Sequence, residues 1–174
     1  MRESKQNSSI QPYKLANKEG ELRHHWQVSE FKRLSEMLID DSGRVEVIVQ
    51  AYFDDRRRCL LKANIKAELK LECQTTFEAI THKLDKVVVF CAVNAESQFA
   101  EVEEEFEPVL MEDGFLDMAE VIEDEIILSV PIVANKSLEE IDKKMSYGEL
   151  DEEAIAAEKA ASNPFSVLQN LKKT

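Results

Sequence analysis

At 174 residues, 44% apolar and 33% charged, the chain is long enough for one domain with its own hydrophobic core plus polar tails. No run approaches the roughly 18 uninterrupted apolar residues of a membrane span, and the start MRESKQNSSIQPYK lacks the apolar core of a secretory signal. Three cysteines, Cys59, Cys73 and Cys91, show no paired spacing, so reduced, packed thiols in a cytoplasmic protein are expected rather than a disulfide framework.

The net charge of −13 is unevenly placed: residues 96–158 hold three Lys/Arg against 21 Asp/Glu, whereas residues 1–33 carry +3 and residues 34–95 carry −1. A segment this acidic repels a phosphate backbone and attracts basic chains, a ribosomal protein among them. The plain alternative is that it only keeps the protein soluble.

In chain order, residues 1–27 read as a polar N-terminal segment and residues 28–135 as a single α+β domain. Within VSEFKRLSEMLI, Val28, Phe31, Leu34, Met37 and Leu38 share one face of a predicted helix over 28–39, which Gly43 follows as breaker. From Arg44 the period becomes two. Val45, Val47, Val49 and Ala51 point one way and Arg44, Glu46 and Gln50 the other, with Ile48 out of phase. FDDRRRC suits a hairpin connection. The next run is a long strand with one buried face, in which Cys59, Leu61, Ala63, Ile65, Ala67, Leu69, Leu71 and Cys73 alternate with polar residues. After the turn-prone CQTT and the mixed segment FEAITHKLD, KVVVFCAV is a third strand. The stretch near 95–108 is an acidic loop or edge segment. Together these predict an antiparallel, twisted or barrel-like sheet flanked by a few helices.

Asp113-Gly114 is a turn dipeptide opening a helix predicted over 116–129. Met118, Ala119, Ile122 and Ile126 group on one side, and Asp117, Glu120, Glu123 and Asp124 fall opposite, so the acid cluster mostly faces water. Glu125 falls on the apolar flank. A carboxylate there needs an Arg, Lys or backbone donor, or is a perturbed catalytic acid. Because Ile126, Leu128, Val130 and Ile132 alternate, a strand reading of IILSVPIV stays open. Residues 136–174 form a polar linker and a terminal amphipathic helix, with Asn163 as N-cap, Pro164 at its first position and Phe165, Leu168 and Leu171 on one face.

Catalytic patterns are thin. His24, His25 and His82 have no ligand-pair spacing, four glycines make no phosphate-cradling loop, and no nucleophile elbow occurs, which leaves a hydrolase using Glu125 with His82 the weakest reading. An RNA-binding module would use Arg56, Arg57 and Arg58 beside Tyr52 and Phe53, together with Lys62, Lys66 and Lys70 on the long strand. Asp54 and Asp55 weaken that field, and a solvated hairpin tip is the bland alternative.

The order LKLEC, THKLDKVVVFCAV, VIEDEIILSVPIV and NPFSVLQNLKK resembles the YceD-like large ribosomal RNA subunit accumulation proteins of bacteria, from about Phe31 to the C-terminus. The resemblance implies a non-enzymatic, cytoplasmic role in synthesis, processing or stability of 23S ribosomal RNA and in large-subunit assembly. It implies a basic large-subunit ribosomal protein or assembly intermediate as partner, leaves 23S ribosomal RNA open as a second one, and calls for no membrane, small-molecule substrate or cofactor. It marks Glu123, Asp124, Glu125, Asn163, Pro164 and Phe165 as protein-binding candidates. Many members resembled carry C-x-x-C after the long strand, in the manner of a zinc site. Here Cys73 is followed by Thr76 at the second position and VANKSLEE offers no later Cys or His, so no metal is expected.

Overall fold

The computed structural model describes residues 8–136. Seven strands and three short or medium helices lie in the order β1 (Ser9–Ile10), α1 (Pro12–Ala16), β2 (Glu21–Gln27), α2 (Lys32–Ser35), β3 (Arg44–Phe53), β4 (Cys59–Glu72), β5 (Ala79–Val93), β6 (Glu107–Leu110), β7 (Leu116–Asp117) and α3 (Met118–Ser129). Five strands form one open sheet in the order β2-β3-β4-β5-β6, and β1 pairs separately with β7. The α+β class is as expected, with an open rather than closed sheet. No helix of the described residues is long and apolar enough to cross a membrane.

The period-two runs set the centre of the sheet. Along β3 and β4 the buried residues are those that alternate in sequence, with Leu60 added on the opposite face, and the register puts Val47 opposite Ile65 and Val49 opposite Ala63. Strand β5 starts earlier than its apolar run suggests, at Ala79, because the mixed residues 79–86 pair with β4 from Glu72 to Ile65. Strands β2 to β5 are antiparallel, but β6 joins β5 in parallel, which corrects the expectation of a wholly antiparallel sheet. The acidic segment explains the change. A parallel neighbour needs a crossover of about a dozen residues, and residues 94–106 supply it, partly as a 3-10 turn over Glu96–Glu101.

Two further differences concern the N-terminal half. The segment read as merely polar contains β2, an edge strand whose inward positions Leu22, His24 and Trp26 include a histidine stacked on the Trp26 ring at 4.8 Å. An edge strand with a solvated face and a histidine in an apolar slot loses its alternation in sequence. The helix expected over 28–39 is instead a 3-10 turn, Val28–Glu30, followed by the single-turn α2. Val28, Phe31 and Leu34 are buried as their spacing implies, but Met37 is exposed and the Ile39 N–H donates to Lys70 O, which pulls the chain onto β4.

Helix α3 closes the core. Met118, Ile122 and Ile126 are fully buried among the side chains of β3, β4, Trp26, Phe31 and Leu34. Each such burial contributes about 1.5–3 kcal/mol. Asp117 caps the helix by accepting from the Ala119 N–H at 3.0 Å, and Asp113-Gly114, both at positive φ, make the preceding tight turn. IILSVPIV is therefore helical to Ser129.

Gly43 sits where no side chain fits, since a Cβ would lie 2.4 Å from the Glu68 carbonyl oxygen and 2.9 Å from Val28 Cγ2. Gly43→Ala is expected to lower unfolding free energy by about 2 kcal/mol in urea titrations, through backbone displacement at the start of β3.

Candidate functional site

The three carboxylates of the EDE run are each held by a cation of this same chain. Glu123, expected on the solvent side, is buried. Its Oε1 accepts the backbone N–H groups of Arg33 at 2.7 Å and Leu34 at 3.1 Å, and its Oε2 accepts from Arg33 Nη2 at 2.9 Å and Nε at 3.1 Å. It thus satisfies unpaired donors at the start of α2 from outside that helix. Asp124 takes Nη1 of the same guanidinium at 2.6 Å, and these bonds raise the Arg33 pKa further above its already high value.

Glu125 lies on the apolar flank, as the spacing predicts, and its partner is Lys86 of β5. Lys86 Nζ also lies 3.5 Å from the Ser129 hydroxyl, which donates to the Glu125 carbonyl at 2.7 Å. The run is a clasp: Glu123 and Asp124 tie α3 to α2, and Glu125 ties it to β5. His82 is four residues from Lys86 along β5, roughly 13 Å of strand, so Glu125 and His82 are not brought together as acid and base.

The basic cluster is also engaged. Asp54 accepts the backbone N–H groups of Arg56 at 3.0 Å and Arg58 at 2.8 Å, and Arg58 Nε at 2.7 Å, while Arg57 adopts a left-handed φ of 62° at the tip. Across from it, the acidic segment folds over the second face of the sheet. Val102 and Phe106 pack against Leu60, Cys91 and Val93. Glu103 pairs with Arg56 and, at 3.5 Å, with Arg58, whose guanidinium lies 5.0 Å from the Phe106 ring centre. No local pattern in the sequence signals this union.

The lysine face of β4 is balanced by its neighbours. Lys66 faces Asp85 at 3.6 Å, Glu68 faces Lys83 at 3.1 Å, and Lys70 donates to the Thr81 hydroxyl at 2.7 Å. The register aligns Glu46, Lys66 and Asp85 in one row of alternating charge that begins beside His25, which leaves Lys62, opposite Gln50 and Val89, outside the ladder. Exposed pairs of this kind add little stability but cancel the field a polyanion would meet.

The thiols divide in two. Burial pushes Cys59 up to about 11 and raises Cys91. Cys73 goes the other way, down to about 7, because Thr76 and then the Lys136 and Thr75 N–H groups beside the sulfur outweigh its burial. Around its sulfur lie Thr76, Asn135 and Lys136, oxygen and nitrogen groups that do not fit the thiolate and imidazole set of a structural zinc. Among the described residues no three His, Cys, Asp or Glu gather at metal-binding spacing. A depressed thiol pKa contributes stability that is fully present above the unfolded value near 9 and is lost as pH falls through about 7. Urea midpoints measured from pH 9 down to 6 are expected to fall, and Cys73→Ala is expected to flatten that slope.

Unpaired acidity is found elsewhere. Glu101, Glu104, Glu105, Glu107, Glu112 and Asp113 are exposed and engage no cation among the described residues, and they lie along and around β6. Asn163, Pro164 and Phe165 lie outside the described residues.

No solved structure matches the chain. It is similar to the "Large ribosomal RNA subunit accumulation protein YceD" of Haemophilus influenzae, 28% identical over 168 residues and covering 94% of each chain. The family model described as "Large ribosomal RNA subunit accumulation protein YceD" matches residues 61–172, a span that includes β4 from Leu61 onward, β5, the acidic segment and α3 with its three clasp carboxylates. This chain belongs to the YceD family.

Proposed function

We propose that this chain is a non-enzymatic, cytoplasmic factor required for 23S ribosomal RNA to accumulate, and that it acts by holding a basic large-subunit ribosomal protein or assembly intermediate. Family membership supports the ribosomal RNA role. The observation that carries the mode of action is the division of charge. The clasp carboxylates and Glu103 are spent on cations of the same chain, whereas the carboxylates along β6 face solvent without one among the described residues. Such a surface raises the encounter rate with a cationic chain and fixes its orientation more than it adds affinity. In this reading Glu123, Asp124 and Glu125 shape the domain that presents the surface. Direct RNA binding is disfavoured, since Arg56, Arg58 and Lys66 face in-chain carboxylates.

The test compares the tagged full chain with the variant E101Q/E104Q/E105Q/E107Q in captures from RNase-treated and untreated lysate. Large-subunit ribosomal proteins are expected on the parent after RNase and lost from the variant. Ribosomal RNA recovered only without RNase, with no ribosomal protein surviving treatment, would replace this reading by direct RNA binding. Depletion of the protein is expected to lower 23S relative to 16S ribosomal RNA, and an unchanged ratio would remove the functional assignment.

A further inference from the structure

Strand β5 is fully partnered on one side only. β4 pairs with it from Ala79 to Ala92, whereas β6 meets it only from Phe90 to Val93. Among the described residues, the outer edge of residues 79–89 therefore carries backbone donors and acceptors with no strand beside them. An edge of that length accepts a further strand.

Two apolar side chains lie exposed beside this edge. Val87 on β5 is 52% exposed. Leu128, 81% exposed, is in the last turn of α3 beside Ser129, which reaches Lys86 of β5. The charges of the edge pair within the chain, Lys86 with Glu125, Asp85 with Lys66 and Lys83 with Glu68, and the last two pairs are exposed on both sides, so Lys83 and Asp85 can turn to a second partner at little cost.

We propose that β5 pairs antiparallel with β5 of a second copy of this chain, about a twofold axis at Leu84, so that the two sheets become continuous. A twofold axis perpendicular to the sheet keeps each face on its own side, so facing residues share a face and the axis passes through a residue. An axis at Lys83 or at Asp85 sets that charge against its own copy, and one at His82 leaves Lys83 opposite Thr81 and Asp85 opposite Ala79, its one charge match, Glu78 with Lys86, falling on groups that Lys136 and Glu125 already hold. An axis at Leu84 sets Lys83 opposite Asp85 of the second copy, twice by symmetry. On the same face Thr81 meets Val87, and on the other Ile80 meets Val88 while His82 meets Lys86, whose charge Glu125 balances. Charge matching and apolar matching thus select the same register. This inference is independent of the functional reading above.

Light scattering on the full chain is expected to give about twice the 19.9 kDa of one copy. Lys83→Asp and Asp85→Lys each place like charges face to face, so each variant alone is expected to dissociate with a Kd at least tenfold higher than the parent. Their mixture restores two opposite-charge pairs and is expected to reassociate. Both side chains are exposed, and unchanged circular dichroism checks the fold. Independently of charge, Leu84→Cys puts one thiol per copy at the axis, within disulfide reach for facing residues, and mild oxidation is expected to cross-link it where the parent chain is not cross-linked. A parent chain that stays at 19.9 kDa at every concentration overturns the proposal. So does a dimer that ignores both charge variants, or one in which Leu84→Cys fails to cross-link.

Discussion

Glu123→Ala is expected to lower the unfolding free energy by about 3 kcal/mol and the melting temperature by about 10 °C. One substitution removes the acceptor for two backbone N–H groups at the start of α2, of which the Leu34 N–H is fully buried, and two of the three hydrogen bonds of the Arg33 guanidinium. A buried donor left without a partner costs its desolvation in full, roughly 1–3 kcal/mol, whereas losing both partners costs far less. Two controls separate the contributions. Glu123→Gln keeps an oxygen for the N–H groups and loses the charge, so about half the effect is expected. Arg33→Ala leaves the capping bonds in place and removes an arginine side chain that is 51% exposed, so about 1 kcal/mol is expected. Urea unfolding ranks the three, and a Glu123→Ala chain within about 1 kcal/mol of the parent would show that the clasp does not hold α2.

Lys86→Met is expected to destabilise by about 2 kcal/mol, and adding Glu125→Leu to recover most of it. The single change strands a carboxylate whose side chain is 8% exposed, while the double change replaces an ion pair by apolar contact under α3. Breaking one half of a fully buried pair costs roughly 3–5 kcal/mol, and the lower figure here reflects a Lys86 side chain that is 42% open to water. A double-mutant cycle by urea unfolding reads the coupling. Additive losses would mean that Glu125 is held by something other than Lys86.

Both predictions concern residues that a helical wheel treats unequally. The wheel placed Glu125 correctly, because a carboxylate between Val121 and Met118 must lie against the core, where it needs an Arg, Lys or backbone donor. It put Glu123 in water, because three or four residues around it are acidic and the wheel carries no knowledge of what packs beside the helix. The contact that buries Glu123 is a one-turn helix 90 residues earlier. The cation it meets, Arg33, stands on a helix that does not extend past Ser35.

The same division runs through the whole chain. Period two in β3 and β4, the apolar face of α3, the Asp113-Gly114 turn and the family motifs were readable from sequence, because each depends on neighbours within one element whose side chains repeat at the spacing of the backbone. The parallel docking of β6, the fold-over of the acidic segment onto Arg56 and Arg58, the strand hidden in residues 21–27 and the pairing of every clasp carboxylate were decided only by the tertiary structure. These depend on groups dozens of residues apart meeting in space, and charge composition counts such groups without saying which of them cancel. Sequence alone therefore established that the protein is acidic, and the fold decided which of the described carboxylates are held by cations of the same chain: those of the clasp are, and those along β6 are not.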